Sequence, residues 1–175
     1  MDKLEYIPGD LVMTNGVPLG TAKDVVYRVT SSEPSKTLKL DDGTVLKGVV
    51  CLENIEGAEF GEKGYLSGDC CAWVKDIVPI NLVPAILEKN GWEKSIGWFY
   101  VGEEERGYQF SKELDDKWDE LDRMTYGDLQ ICQCHNLRDW SYINECNHSF
   151  RFEFTYVHEL QHLLYALHID SNLKI

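Results

Sequence analysis

The chain has 175 residues, 43% of them hydrophobic, with a formal net charge of −13 and a pI near 4.7. That length and apolar content suffice for one domain or two small ones, each able to bury a core. The charge excludes a phosphate-backbone binder, because none of the 17 Lys and Arg residues forms a run, so no nucleic-acid partner is expected.

In chain order, the first part reads as short strands: 10–13, 25–30, 37–40 and 44–50. Turn residues separate them at Asn15-Gly16, at Ser32-Glu33-Pro34-Ser35 and at Asp41-Asp42-Gly43, and Asp42-Gly43 is the clearest hairpin signal. Strands at this spacing predict an SH3-like small β-barrel over residues 1–78, closed by 72–77 after a Gly-rich loop from Gly57 to Gly68. A boundary is expected near Pro79, which cannot sit inside a central strand. Pro84 near the first turn and Gly91 past the end mark a short helix over 84–90.

Residues 97–101 and 129–134 restart strands, and Phe150, Phe152 and Phe154 alternate with Arg151 and Glu153 as in a half-buried strand. Between them lies the acid. The span 103–122 holds nine carboxylates against Arg106, Lys112 and Lys117, read as a solvated face, with a protein-docking surface or a mimic of nucleic-acid charge as the minority reading. Leu114, Trp118 and Leu121 make 111–123 either a short amphipathic helix or a loop. A final helix over about 156–168, capped by Thr155, completes the second domain, 79–175. The predicted fold class is thus α+β: the barrel, then an antiparallel sheet with a short helix and a C-terminal amphipathic helix.

That last helix carries His158-Glu159-Leu160-Gln161-His162, a match to H-E-x-x-H. Histidines four apart on a helix can share a zinc while the adjacent Glu activates the metal-bound water, so His158, His162 and Glu159 form a candidate hydrolase site. The extended form of the motif needs a glycine that turns the chain towards a third histidine; Tyr165 stands there, before His168. At roughly 100° per residue, Val157, Leu160, Leu164 and Leu167 form the apolar stripe and both histidines lie off it. Solvent-facing or half-buried histidines on an amphipathic helix are therefore the preferred reading, with no catalytic residue, metal or cofactor; a third ligand would come from upstream, at His135 or His148. Cys132, Cys134, Cys146 and His148 form a second candidate zinc set, structural in kind, although two residues between ligands are more usual than the single one found here.

Residues 1–6 carry no apolar leader, and no stretch approaches the roughly 18 apolar residues of a membrane span, so a cytoplasmic protein with no membrane partner is expected. The six cysteines are then expected to be thiols or metal ligands.

Three blocks carry a resemblance: Gly9, Asp10 and Val12; the run Ile77 to Leu82 with Ile86 to Trp92; and Tyr156-Val157-His158 with Leu160-Gln161. In these the chain resembles small proteins of anaerobic gut bacteria and their phages, in which Gln often stands at the position of Glu159 and Asn at that of His162. No activity comes with the resemblance. It implies an accessory protein of phage or mobile-element origin, with His158 and Gln161 setting the last helix against the sheet. The expected function is a non-enzymatic interaction protein that uses an acidic surface to engage a protein partner, in host-factor binding or counter-defence; the alternative is a zinc-dependent, metallopeptidase-like hydrolase.

Overall fold

In a computed structural model of the chain, the described residues are 5–16, 23, 25–55, 70–101, 103–112, 129–134, 140–143 and 152–175. They divide into two compact units: Met1–Ile80 with Tyr156–Asn172, and Asn81–Thr155 with Leu173–Ile175. The chain thus changes unit at residue 80, close to the boundary expected at Pro79. The C-terminal helix, expected in the second domain, groups with the N-terminal strands.

The first unit contains β1 Leu11–Thr14, β2 Val26–Lys39, β3 Val45–Asn54, β4 Cys70–Trp73 and β5 Ile77–Pro79. All pair antiparallel in one five-stranded sheet of order β4-β3-β2-β1-β5. A single 3₁₀ turn, Val74–Asp76, joins the two edge strands. Four inter-strand spacings would hold flat edges about 19 Å apart. The four residue steps from Trp73 to Ile77 span at most about 14 Å. The sheet therefore curls, helped by ladder irregularities in β2 between Val29 and Ser31 and between Glu33 and Thr37. Among the described residues no ladder joins β4 to β5, so the sheet is curled but is not the closed barrel expected.

Pro34, read from sequence as part of a turn, lies inside the 14-residue β2 at the second irregularity, where a missing N–H is tolerated. The expected hairpin forms at Asp41-Asp42-Gly43. Leu40 N–H donates to Thr44 O at 2.8 Å, Asp42 Oδ1 accepts Thr44 N–H at 2.8 Å, and Gly43 takes φ +88°. Gly48 is required for a different reason. Its φ is +72°, and a Cβ there would meet Val74 Cγ2 at 2.8 Å, so β3 passes under the 3₁₀ turn only without a side chain. The inner face of the sheet carries Tyr6, Val12, Tyr27, Val29, Val50, Leu52, Ala72 and Ile77 as one buried cluster.

The second unit opens with α1 Pro84–Lys89, with Pro84 in its first turn and Gly91 at φ +78° beyond its end, as its sequence predicts. It continues through β6 Glu93–Val101, β7 Glu103–Lys112, β8 Leu129–Cys134, β9 Trp140–Ile143 and β10 Phe152–Phe154, an antiparallel sheet of order β10-β9-β8-β7-β6. Phe110, Leu129, Ile131, Trp140 and Phe154 are buried. The acidic run Glu103–Glu105, read as a solvated face, belongs to β7 and pairs with β6, while residues 113–128 lie outside the described set. No helix among the described residues is long and apolar enough to cross a membrane. The mixed α+β class with antiparallel sheets is as expected.

Candidate functional site

The helix that carries the H-E-x-x-H residues is α2, Val157–Ala166. Its N-cap is Tyr156 rather than Thr155: Tyr156 has extended dihedrals, and the Glu159 carboxylate reaches back to accept its N–H at 3.0 Å. At the other end His168 adopts φ +57°, with His168 N–H donating to Tyr165 O and Ile169 N–H to Leu164 O. Those two bonds form a Schellman termination with a histidine where glycine is usual. His168 is exposed there and stands as a terminator of the helix. His168→Gly is expected to stabilise the protein by about 0.5 to 1 kcal/mol, read as a small rise in melting temperature, because it relieves a side chain in the left-handed region.

Val157, Leu160 and Leu164 are fully buried, as the wheel predicts. The polar positions depart from it. His158 is buried, with its ring centroid 5.0 Å from that of Tyr6, stacked on Tyr156 at 5.8 Å, and edge-on to His162 at 5.7 Å. The residues from Tyr6 to Asp10 cover this flank of the helix, which a wheel of α2 alone cannot show. His158 Nδ1 is buried with no hydrogen-bond partner among the described residues.

Gln161 is buried and makes three hydrogen bonds. Its Oε1 accepts Leu11 N–H at 2.8 Å, and its Nε2 donates to Gly9 O and to Ser171 O, each at 3.0 Å. The amide orientation is forced, since the reverse would set donor against donor and oxygen against two carbonyls. His162 Nε2 lies 2.8 and 3.0 Å from the two oxygens of Asp10, a buried carboxylate that also accepts Ile7 N–H at 2.8 Å. The Asp10 backbone is pinned as well, with Val29 N–H donating to its O at 2.9 Å.

Within the first unit, residues from the resemblance come together: Val157 N–H donates to Ile80 O at 2.9 Å, and Gln161 bonds Gly9. Comparison with protein-family models, with curated proteins and with solved structures finds no match. The site is therefore interpreted from its geometry.

Three members of the motif have polar structural commitments: Glu159 caps the helix, Gln161 ties it to β1 and to the segment after the helix, and His162 pairs with Asp10. Among the described residues no group of three or more His, Cys, Asp or Glu is placed to hold a metal. Of the second candidate set, Cys132 is buried on β8 and Cys134 ends that strand, while Cys146, His148 and His135 lie outside the described residues. Sequence reasoning missed Asp10 as a partner of His162. Its signal was a carboxylate directly after Gly9 at a strand start, but the contact spans 152 positions.

Burial holds the His158 pKa below its ordinary value of 6.5, with His162 adding to the effect and the Asp10 and Glu159 carboxylates opposing it. For a histidine with a depressed folded-state pKa, the unfolded chain binds the proton more readily. The stabilisation is complete above about pH 6.5 and is lost as pH falls from there towards the folded value. Unfolding in denaturant between about pH 7.5 and 5 should show this slope in the wild type, and a shallower one in His158→Phe.

Proposed function

We propose that this chain is a non-enzymatic protein-binding module of the bacterial cytoplasm, of phage or mobile-element origin, that engages a protein through the β2–β3 ribbon. The carrying observation is the extent of that ribbon. β1 pairs with β2 only at Val26–Arg28, and β4 pairs with β3 only at Val49–Leu52. The outer stretch, with Thr37–Lys39 against Val45–Lys47, has ladder partners only within the ribbon among the described residues. It ends in Leu38, Leu40 and Val45, exposed to 47%, 39% and 60%. Lys36, Lys39 and Lys47 balance Glu33, Asp41 and Asp42 there, so the tip is neutral within a chain of net charge −13. A neutral tip with three large apolar side chains suits an apolar protein patch and gives no grip on phosphate.

The SH3-like reading of the first unit belongs to the same proposal. It is supported by the strand order and by the 3₁₀ turn that brings β5 back beside β1.

The test compares wild type with a Leu38→Ser/Val45→Ser double variant. Both positions are exposed, so stability should change by less than about 1 kcal/mol. A protein captured from bacterial lysate, then purified and rebound, should lose at least roughly tenfold in affinity for the variant. Equal binding by the two would remove the ribbon from the proposal.

The competing proposal is the zinc-dependent hydrolase, favoured by one observation: the adjacent rings of His158 and His162 with the Asp10 carboxylate beside them. Elemental analysis of untagged protein, alongside His158→Ala and Cys134→Ser, separates the two. The binding module predicts no stoichiometric zinc in any of the three. One zinc per chain that vanishes in His158→Ala would put the metal on α2 and leave peptide hydrolysis lost in Glu159→Gln to establish the hydrolase reading, and one that vanishes only in Cys134→Ser would establish the structural site.

A further inference from the structure

We propose that Cys51 and Cys71 form a reversible dithiol–disulfide site whose oxidant is a low-molecular-weight disulfide such as oxidised glutathione. The two residues are directly opposed on neighbouring antiparallel strands, β3 and β4, and stand as thiols with their Sγ atoms 2.8 Å apart. Directly opposed residues of an antiparallel pair have Cα atoms about 4.5 or 5.5 Å apart. Both values fall inside the roughly 4.4 to 6.8 Å span that a disulfide bridges. The bond therefore forms without moving either strand.

Access agrees with reach. Cys71 is exposed and Cys51 half-buried, whereas the alternating neighbours Val50, Leu52 and Ala72 are buried in the inner face. The thiol pair thus lies on the outer face of the sheet, in one cross-strand row with Ser31. Cys70 is adjacent in sequence to Cys71 but opposes Leu52, so it projects to the other side of the sheet and is not the partner of Cys51.

The chemistry balances with one oxidant molecule. The more accessible Cys71 thiolate attacks a sulfur of glutathione disulfide, breaks that S–S bond and releases one glutathione thiolate. The Cys51 thiolate then attacks Cys71 Sγ in the mixed disulfide, forms the Cys51–Cys71 bond and expels the second glutathione. The protein loses two protons and two electrons, and one glutathione disulfide becomes two glutathione thiols. Two dithiothreitol exchanges reverse the sequence. The product staples edge strand β4 to β3 and closes residues 51–71 into a covalent ring.

The test uses the 175-residue chain with excess oxidised glutathione, quenched by alkylation in denaturant and mapped by peptide mass. The expected result is a Cys51–Cys71 crosslinked peptide in wild type and in Cys70→Ser, with both thiols lost and both regained on dithiothreitol. Cys51→Ser should instead accumulate a stable glutathione adduct on Cys71. Any of three results in wild type would overturn the proposal: both thiols still alkylated, glutathione retained on Cys71 with Cys51 alkylated, or a crosslink that uses Cys70. Wild type and Cys70→Ser decide the matter even if the Cys51 variant fails to fold.

Discussion

Gln161→Glu is expected to lower stability by about 3 kcal/mol at pH 7, a fall in melting temperature of roughly 6 to 12 °C. The substitution changes one atom of a side chain that is 4% exposed, so volume and helix propensity barely change. What changes is the polarity at one end. Oε1 still accepts Leu11 N–H, but the other terminus becomes an oxygen facing Gly9 O and Ser171 O. A carboxylate there is either buried beside two carbonyl oxygens or takes up a proton, and both cost free energy at neutral pH. Protonation restores one donor, so the loss should shrink as pH falls towards 5. Gln161→Leu removes the side-chain polarity altogether and leaves Leu11 N–H, Gly9 O and Ser171 O without their partner; it should cost a similar amount with no dependence on pH in this range. Tyr165→Ala, four positions along and 68% exposed, should stay within about 0.5 kcal/mol of wild type. Denaturant unfolding of the three variants checks the set, and a Gln161→Glu protein as stable as wild type would mean that these bonds do not hold the helix.

Trp140→Ala is expected to cost about 4 kcal/mol in the second unit. The side chain is completely buried, lies edge-on to Phe110 with centroids 5.7 Å apart, and donates its Nε1–H to Leu82 O at 3.1 Å. Its removal leaves a cavity, forfeits an aromatic pair and strands a carbonyl. Trp140→Phe narrows these contributions, since it keeps an aromatic ring but loses the donor and part of the indole volume; about 2 kcal/mol is expected. Tryptophan fluorescence with hydrogen exchange over 129–134 and 140–143 would show both losses in this sheet.

How far the sequence foretold this arrangement depended on the range of the interactions. Asp42-Gly43, Pro84 with Gly91, and the strand 129–134 act within a few residues, and they were legible. Pro34 misled because a proline inside a strand requires a ladder irregularity, which is a property of two strands and not of one. β7 was hidden because Glu103–Glu105 look solvated until a neighbouring strand supplies their backbone pairing. The hairpin at the ribbon tip was readable, but the length of β2 was not. In the site, the apolar stripe of α2 was correctly placed, while the burial of His158 and the commitments of Gln161 and His162 depend on Gly9, Asp10 and Leu11, about 150 positions away. H-E-x-x-H was conspicuous because it is local; the contacts that account for its residues are not.

The division of the first unit between two separated stretches of chain sets the order in which that unit can be completed on the ribosome. Strands β1 to β5 emerge first, yet the helix that satisfies Leu11 N–H and Gly9 O is translated only after residues 81–155. At about 5 to 20 residues per second that interval is on the order of ten seconds, far longer than local strand pairing requires. During it the nascent sheet keeps an uncovered flank, while strands β6 to β10 have time to pair, although the second unit too awaits Leu173–Ile175. A chain released early would carry the sheet but not the helix. A sheet without α2 leaves Leu11 N–H and Gly9 O without their Gln161 partner, so removing the helix is expected to expose the strand start to proteases.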